Sequence, residues 1–246
     1  RESYPLGFTA NFKRLNFGTL TMFDKNFAGL GHELDVSYPF DFKDYPMPGI
    51  GVSYSIKNIF HSFSNLTLGI SDGIGTSRAG VSITRPFISS STKYAWSASL
   101  SRIYTTEYLG VKLDTSIRYT FQDYWVARSF MLDKKSVTRL IGSLRYMNNN
   151  VFQRPVITSD SYYPWQRYKL FIGSLALSSQ RYYNMSLIYS YGRTEDIPYG
   201  YMIQADGGIE LNEFKRRTYV GFETAYGKLI DGFGYLYMGT GLSTFY

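Results

Sequence analysis

The sequence predicts an all-β chain that folds as a transmembrane, antiparallel, up-and-down β-barrel, and three observations support this prediction. Apolar and polar residues alternate with a period of two over many short runs. Turn signals divide the chain into about 12 or 13 such runs, spaced roughly every 20 residues, whereas soluble sandwiches turn about every 8 to 12 residues. The polar phase consists of Ser, Gly, Thr and Arg, which suits a crowded or water-filled lumen.

The clearest strands alternate large apolar residues with small polar ones. The segments "NLTLGIS" and "YAWSASLS" show this pattern over their whole length. In the wall of a membrane barrel, the apolar residues face lipid and the polar residues face the lumen. The residues predicted to face lipid are Leu66, Leu68, Ile70, Tyr94, Trp96 and Leu100.

Arginine recurs in the polar phase of these strands. In "SIRYTFQ", Arg118 alternates with Ile117, Tyr119 and Phe121, which make up the apolar phase. Two further arginines alternate with leucines in the segment that follows. The predicted lumen-lining arginines are Arg118, Arg139 and Arg145.

Clusters of turn-forming residues separate the strands, because Gly, Pro, Asn and Asp adopt the backbone angles that turns require. No convincing helix is visible, and residues 1–246 are predicted to form a single barrel domain. The clusters are "DFKDYPMPG", "SDGIGTS", "ISSSTK", "MNNN", "RPVITSDSYYPW", "RTEDIPYG", "LNEFKRR" and "GKLIDG".

Composition limits the chemistry that the chain can perform. It has no cysteine, which excludes disulfides, thiolate metal sites and a cysteine nucleophile. Its two histidines, His32 and His61, lie outside any motif of a barrel hydrolase, and the carboxylates do not have the spacing of a calcium loop. We therefore predict no enzyme activity, no catalytic residue, no cofactor and no metal.

The net charge of +7 does not indicate a nucleic-acid partner. Binding of nucleic acid calls for Lys and Arg gathered on one face or one helix, whereas here they are scattered among segments predicted as turns. No run approaches the 18 or so apolar residues of a transmembrane helix.

Residues 15–38 carry a resemblance to a known family. The stretch "TLTMFDKNFAGLGHELDVSY" combines an alternating strand, a turn with Asp-x-Asn and Gly-x-Gly, and a second alternating run. It resembles the first hairpin of the BamA, TamA and FhaC superfamily of outer-membrane assembly and translocation barrels. Fainter likeness continues through Pro86, Phe87 and Trp96. The matching motif residues are Asp24, Asn26, Phe27, Gly29 and Gly31.

Two features depart from the superfamily. Its barrels have sixteen strands and an Arg-Gly-aromatic tripeptide on a loop inside the lumen, but this chain offers 12 or 13 strands and neither Arg-Gly-Phe nor Arg-Gly-Tyr. We expect the sequence to be part of a sixteen-stranded barrel, without the periplasmic domains and the last strands. A complete twelve-stranded barrel is the alternative.

The resemblance implies a location in the outer membrane of a Gram-negative bacterium and a role in inserting, assembling or translocating client polypeptides. The implied partners are outer-membrane lipid, client polypeptide and accessory outer-membrane proteins. Client strands would enter at a weak seam beside the first hairpin by pairing with a free strand edge. The alternatives are a passive channel that prefers anions, lined by the three arginines, and a barrel hydrolase that uses His32 or His61.

Overall fold

The computed structural model describes residues 6–89, 91–108, 111–161, 163–186, 194–230 and 234–246. These residues form thirteen β-strands and one 3-10 helix, Tyr163–Trp165. No helix in this part of the chain has the length and hydropathy needed to cross a membrane. The strands are β1 (Leu6–Arg14), β2 (Phe17–Phe27), β3 (His32–Asp41), β4 (Ile50–Ile59), β5 (Ser64–Gly73), β6 (Thr76–Arg85), β7 (Tyr94–Tyr108), β8 (Val111–Asp133), β9 (Thr138–Gln153), β10 (Tyr168–Ser186), β11 (Thr194–Asn212), β12 (Arg216–Ile230) and β13 (Gly234–Phe245).

All thirteen strands belong to one antiparallel sheet whose order follows the sequence from β1 to β13. The prediction of an all-β, up-and-down fold with 12 or 13 strands is thereby confirmed. Among the described strands, β1 pairs only with β2 and β13 only with β12, so the sheet is not closed. Closure and membrane insertion stay predictions.

The pairing register separates two faces of the sheet, because residues directly opposite each other on neighbouring strands point to the same side. We call them the polar face and the apolar face. One row of the polar face is Ser55, Thr67, Ser82, Ser99, Asp123, Met147, Leu170, Glu210 and Arg217. One row of the apolar face is Ile56, Leu66, Ile83, Ala98, Tyr124, Tyr146, Phe171, Ile209 and Thr218.

The sheet has a loop end and a turn end. The loop end carries connections 42–49, 154–167 and 213–215, and the turn end carries 28–31, 60–63, 86–93 and 134–137. A cluster of deeply buried side chains lies on the polar face toward the loop end, and it contains Ile117, Asn149, Val151, Leu170 and Glu210. Ala95 and Ile197 are equally buried but lie toward the turn end. The core is therefore local, and most of the apolar face is exposed.

Some predicted turns belong to strands instead. "MNNN" lies inside β9, "RTEDIPYG" contributes residues to β11, and "GKLIDG" begins inside β12. The asparagines of β9 find partners without a chain reversal, since Asn148 donates to Gln122 Oε1 at 3.0 Å and Asn149 donates to two loop carbonyls. Asparagine is common in turns because its side chain bonds locally, but here it bonds across strands.

Strand β8 reverses the predicted phase over its first half. Alternation predicts Ile117, Tyr119 and Phe121 on the apolar face, but they lie on the polar face, in register with Thr105, Ile103 and Ser101. Pro164 and Tyr168 line a cavity of about 400 Å³ together with Tyr119 and Phe121. Because the 154–167 loop covers this part of the polar face, large apolar side chains are buried there.

Candidate functional site

The β2–β3 turn is held by the side chains of the motif. Asp24 Oδ1 accepts a hydrogen bond from the Asn26 backbone N–H at 2.9 Å, and Asn26 Oδ1 accepts one from the Gly31 N–H at 2.7 Å. Gly29 and Gly31 have φ angles of 74° and 69°, in the left-handed region that favours glycine. Phe27 follows the bulge that interrupts the β2–β3 register. The five motif residues therefore lie at the turn, where they hold its backbone or adopt its left-handed conformation.

The β4–β5 turn repeats this geometry with other side chains. Asn58 Oδ1 accepts a hydrogen bond from the Phe63 N–H at 2.8 Å, over the same five-residue span as in the first turn. The His61 N–H donates to the Asn58 carbonyl at 3.1 Å, as the Gly29 N–H donates to the Asn26 carbonyl at 2.9 Å. The two turns therefore share a hydrogen-bond pattern and are adjacent at the turn end, although Asn58 has a φ of 54° and Asn26 has no positive φ.

The two turns differ in the residues that occupy left-handed positions. His61 (φ 57°) and Phe63 (φ 59°) stand where the first turn has glycine, and Phe60 (φ 48°) stands where it has Ala28. Side chains larger than glycine are strained in this region because of contact between Cβ and the backbone. The side chain of Phe60 is 95% exposed, so packing against the sheet does not offset this strain.

The histidines do not form a hydrolase site in the described part of the chain. His32 Nδ1 hydrogen-bonds to the Tyr54 hydroxyl, and the ring of Phe27 packs edge-on against Tyr54. His61 is exposed at the tip of its turn. Neither imidazole is held between a serine and a carboxylate, and no group of three His, Cys, Asp or Glu side chains among the described residues could hold a metal ion.

The most extensive polar network ties the 154–167 loop to the sheet. Arg154 makes a bidentate ion pair with Glu213, with N–O distances of 2.5 and 2.6 Å. Glu213 also accepts the Arg167 N–H at 2.8 Å. These hydrogen bonds hold the pKa of the Glu213 carboxyl below its ordinary value, chiefly because of Arg154. The two ends of the loop are thereby joined to the connection between β11 and β12.

Amide side chains hold the middle of the loop. Buried Asn149 donates from Nδ2 to the carbonyls of Pro164 and Gln166, at 2.8 and 2.9 Å. Gln166 in turn donates to the Ser161 carbonyl at 2.8 Å and accepts a hydrogen bond from Asn212 at 2.8 Å. These hydrogen bonds satisfy the loop carbonyls that lie against the sheet, whereas Asn149 Oδ1 is buried and has no hydrogen-bond partner among the described residues.

Tyr163, at the start of the 3-10 helix, links the loop to the last four strands. Its hydroxyl donates to Glu210 Oε2 at 2.6 Å, and Arg217 binds the other oxygen of this fully buried carboxylate at 2.6 and 3.0 Å. Its ring stacks on Tyr168 at 4.5 Å and touches Phe245 on β13. Burial, followed by the hydrogen bond to Glu210, raises the pKa of Tyr163.

The three predicted lumen arginines do not share one face. Arg139 and Arg145 lie on the polar face, opposite Met131 and Trp125 of β8. Arg118 lies on the apolar face, where its guanidinium packs 4.8 Å from the ring centre of Tyr104. The reversed phase of β8 is the cause. Lumen lining by the other two stays a prediction.

Carboxylates neutralise much of the positive charge on the polar face. Arg145 forms a bidentate pair with Asp123 at 2.9 and 2.6 Å, and Arg217 pairs with Glu210. Arg78 and Arg139 lie on the same face and form no salt bridge among the described residues, so pairing reduces but does not remove the positive charge available to an anion-preferring channel.

The six residues predicted to face lipid do lie on one face. Leu68 pairs with Val81 and Val81 with Leu100, and the other members follow by alternation along β5 and β7. Most are exposed, as Leu68 (45%) and Ile70 (63%) illustrate. Their contact with lipid stays a prediction.

The alternation pattern gave no indication of the network of Tyr163, Glu210 and Arg217. The available signal was the length of "RPVITSDSYYPW" together with its aromatic residues, which are unusual in a purely solvated turn.

No protein family, curated protein or solved structure matches the chain in comparisons with known proteins.

Proposed function

We propose that this chain forms wall strands of an outer-membrane β-barrel that inserts, assembles or translocates client polypeptides. The observation that carries the proposal is the two-faced sheet, with an exposed apolar face and a polar face covered in part by its own loop. The exposed apolar side chains include Leu144 (67%) and Leu175 (62%). Soluble monomers rarely expose such a continuous apolar surface, whereas a bilayer covers it.

The apolar face has the height that a bilayer requires. On β10, its apolar segment lies between Lys169 and Arg181, with residues 170–180 between them. On β12, it lies between Arg216 and Lys228, with residues 217–227 between them. Both intervals match the 9 to 11 or so residues of a tilted transmembrane strand. Lys and Arg at the two ends suit the headgroup regions on either side.

The polar face suits an aqueous lumen with a fixed constriction. Its rows are rich in Ser, Thr and Gly, which leave space, and its charges occur as pairs such as Arg145–Asp123. The 154–167 loop narrows this space at the loop end because it is anchored to several strands. A polypeptide, which carries both charges and apolar side chains, is a more suitable occupant than a simple anion.

A client strand would pair with the sheet through main-chain hydrogen bonds. The side chains of β1 are largely exposed, including Phe8 (61%) and Phe12 (60%). Addition of a strand to such an edge would satisfy its backbone groups and cover these aromatics. The superfamily resemblance of the neighbouring β2–β3 turn favours this mode of binding over passive diffusion.

Single cysteines test membrane insertion, since the natural chain has none. Ser174→Cys and Leu175→Cys are neighbours on β10 that face opposite sides, and Ser143→Cys and Leu144→Cys form the same kind of pair on β9. In lipid vesicles, a charged maleimide should label the serine positions and spare the leucine positions. In urea, all four should react at similar rates. Equal labelling of Ser174→Cys and Leu175→Cys in vesicles would contradict insertion.

Client folding tests the second part of the proposal. A urea-denatured, eight-stranded outer-membrane barrel is diluted into vesicles with and without this protein, and its folding is followed by gel mobility. Faster folding is expected, with cross-links to the client from benzoylphenylalanine at Phe8 but not at Tyr124. An unchanged folding rate would contradict the assembly role. Steady conductance in its place would favour the channel.

A further inference from the structure

The apolar face is not uniform, because it contains a groove between β8 and β12. Two adjoining cavities of about 770 and 730 Å³ form this groove, and both are lined by Val126, Leu144 and Gly173. The first cavity continues past Phe171 toward Leu211 at the loop end. Along β11 they extend from Ala205 to Leu211, roughly 20 Å at about 3.4 Å per residue, and most of the residues that line them are apolar or glycine. This shape suits an extended hydrocarbon chain.

Glycines create the groove by omitting side chains. A Cβ added at Gly207 would meet no atom within 4 Å, and one added at Gly142 would meet only a leucine methyl at 3.7 Å. At Gly173 it would meet a leucine methyl at 3.7 Å and the Gly207 carbonyl oxygen at 3.9 Å, both ordinary van der Waals contacts. None of the three has a positive φ, so the backbone does not require glycine. Their shared consequence is open space within the apolar face.

Aromatic rings and leucines form the walls of the groove. Tyr124, Tyr146 and Phe171 lie side by side on β8, β9 and β10, with centroid distances of 6.2 and 4.9 Å. Leu144 and Leu175 stand beside the open glycines. This combination presents flat and branched apolar surfaces, which suit an acyl chain better than a polar peptide.

Two cations flank the groove where it reaches the loop end. Lys169 on β10 and Arg216 on β12 are both paired with Leu211 on β11, so their Cα atoms lie two strand spacings apart, roughly 10 Å. Both are exposed, and neither forms a salt bridge among the described residues. Arg128, beside the second cavity, differs because it packs 4.7 Å from the ring centre of Phe130.

We propose that this groove binds one membrane phospholipid with an anionic headgroup. An acyl chain lies along Gly207 and Gly173, and Lys169 and Arg216 bind the phosphate region. Long, flexible Lys and Arg side chains can converge on one phosphate from this spacing. The inference rests on the proposed membrane function, and it adds a specific lipid site to an otherwise general lipid-facing surface.

Native mass spectrometry in dodecyl maltoside tests the site with dioleoyl phosphatidylglycerol and dioleoyl phosphatidylcholine. The protein should retain one phosphatidylglycerol in preference to phosphatidylcholine. Lys169→Ala and Arg216→Ala should each weaken phosphatidylglycerol retention by about fivefold and reduce the preference. Gly207→Leu should weaken the retention of both lipids, because its side chain fills the groove.

Matched controls lie on the same face outside the groove. Arg102→Ala removes an exposed cation, and Ala79→Leu adds a side chain of the same kind as Gly207→Leu. Both should bind lipid as the natural protein does. Equal phosphatidylglycerol retention by all variants would overturn the site. A dimer of the natural protein that only the groove variants abolish would also overturn it, because a second copy of the chain would then cover the groove. Cysteine labelling in vesicles reports insertion independently. If the natural protein shows normal labelling but no preference for phosphatidylglycerol, the lipid site alone is refuted.

Discussion

Replacing His61 with glycine is expected to stabilise the protein. His61 has a φ of 57°, and a left-handed conformation costs a residue with a Cβ about 1–2 kcal/mol relative to glycine. Glycine also increases the conformational entropy of the unfolded chain, which offsets about 0.5–1 kcal/mol of this stabilisation. Because the imidazole is exposed, the substitution removes little buried surface. The expected net stabilisation is therefore about 0.5–1 kcal/mol.

Equilibrium unfolding by urea in detergent micelles, followed by tryptophan fluorescence, measures this change. The β2–β3 turn, which shares the hydrogen-bond pattern, supplies matched controls. Gly29→Ala places a Cβ at φ 74° and should destabilise by about 1 kcal/mol, although no atom within 4 Å would clash with it. Leu30→Gly, at a position without positive φ, should destabilise by about 0.5–1 kcal/mol. If His61→Gly destabilises as Leu30→Gly does, strain in the second turn is not real.

Three further predictions concern the network of the 154–167 loop and the polar face. The pKa of Glu213 is lowered in the folded protein, so its ion pair stabilises the fold above pH 4.5, the ordinary pKa of the carboxyl. This stabilisation is lost as the pH falls through the folded-state pKa, so hydrogen exchange in residues 154–167 should become faster in acid. Glu213→Gln should abolish that pH dependence. Tyr163→Phe leaves buried Glu210 with fewer donors and should cost about 1–3 kcal/mol in urea unfolding, while an unchanged midpoint would show that the hydroxyl is dispensable. Arg145→Ala should destabilise more than the double variant Arg145→Ala/Asp123→Asn, because only the single variant leaves an unpaired carboxylate; equal losses in thermal melts would contradict the pairing.

The strand-rich fold could be predicted because alternation is a local property. Most strands of the sheet have one apolar side and one polar side, and this difference is visible within six or seven residues, as in "NLTLGIS". The Asp24 and Asn26 turn could be predicted for the same reason, since its hydrogen bonds span five residues or fewer. The strands and this turn could therefore be predicted because they depend on residues that are close together in sequence.

The polar network could not be predicted, because its members are distant in sequence. Tyr163 and Glu210 are 47 residues apart, and Arg154 and Glu213 are 59 residues apart. No periodicity indicates that a loop after β9 will reach β11. The same loop caused the error at Arg118, since it buries the polar face beneath it and so changes which side of β8 is apolar.

The two halves of strand β8 carry different kinds of residue on the apolar face of the sheet. Its apolar face carries Arg118, Thr120 and Gln122 toward the loop end, and then Tyr124 and Val126. The change from polar to apolar residues occurs at one row of directly opposite residues on β8 to β12, which are Gln122, Asn148, Lys169, Leu211 and Arg216.

On the membrane proposal, this row is where the sheet leaves the lipid. Beyond it the outer side meets water and becomes polar, while the inner side meets the 154–167 loop and becomes apolar. The two changes have different causes but coincide in position. A strand of 23 residues is consequently compatible with a bilayer that needs about 9 to 11, because β8 crosses the membrane with one half and supports the loop with the other.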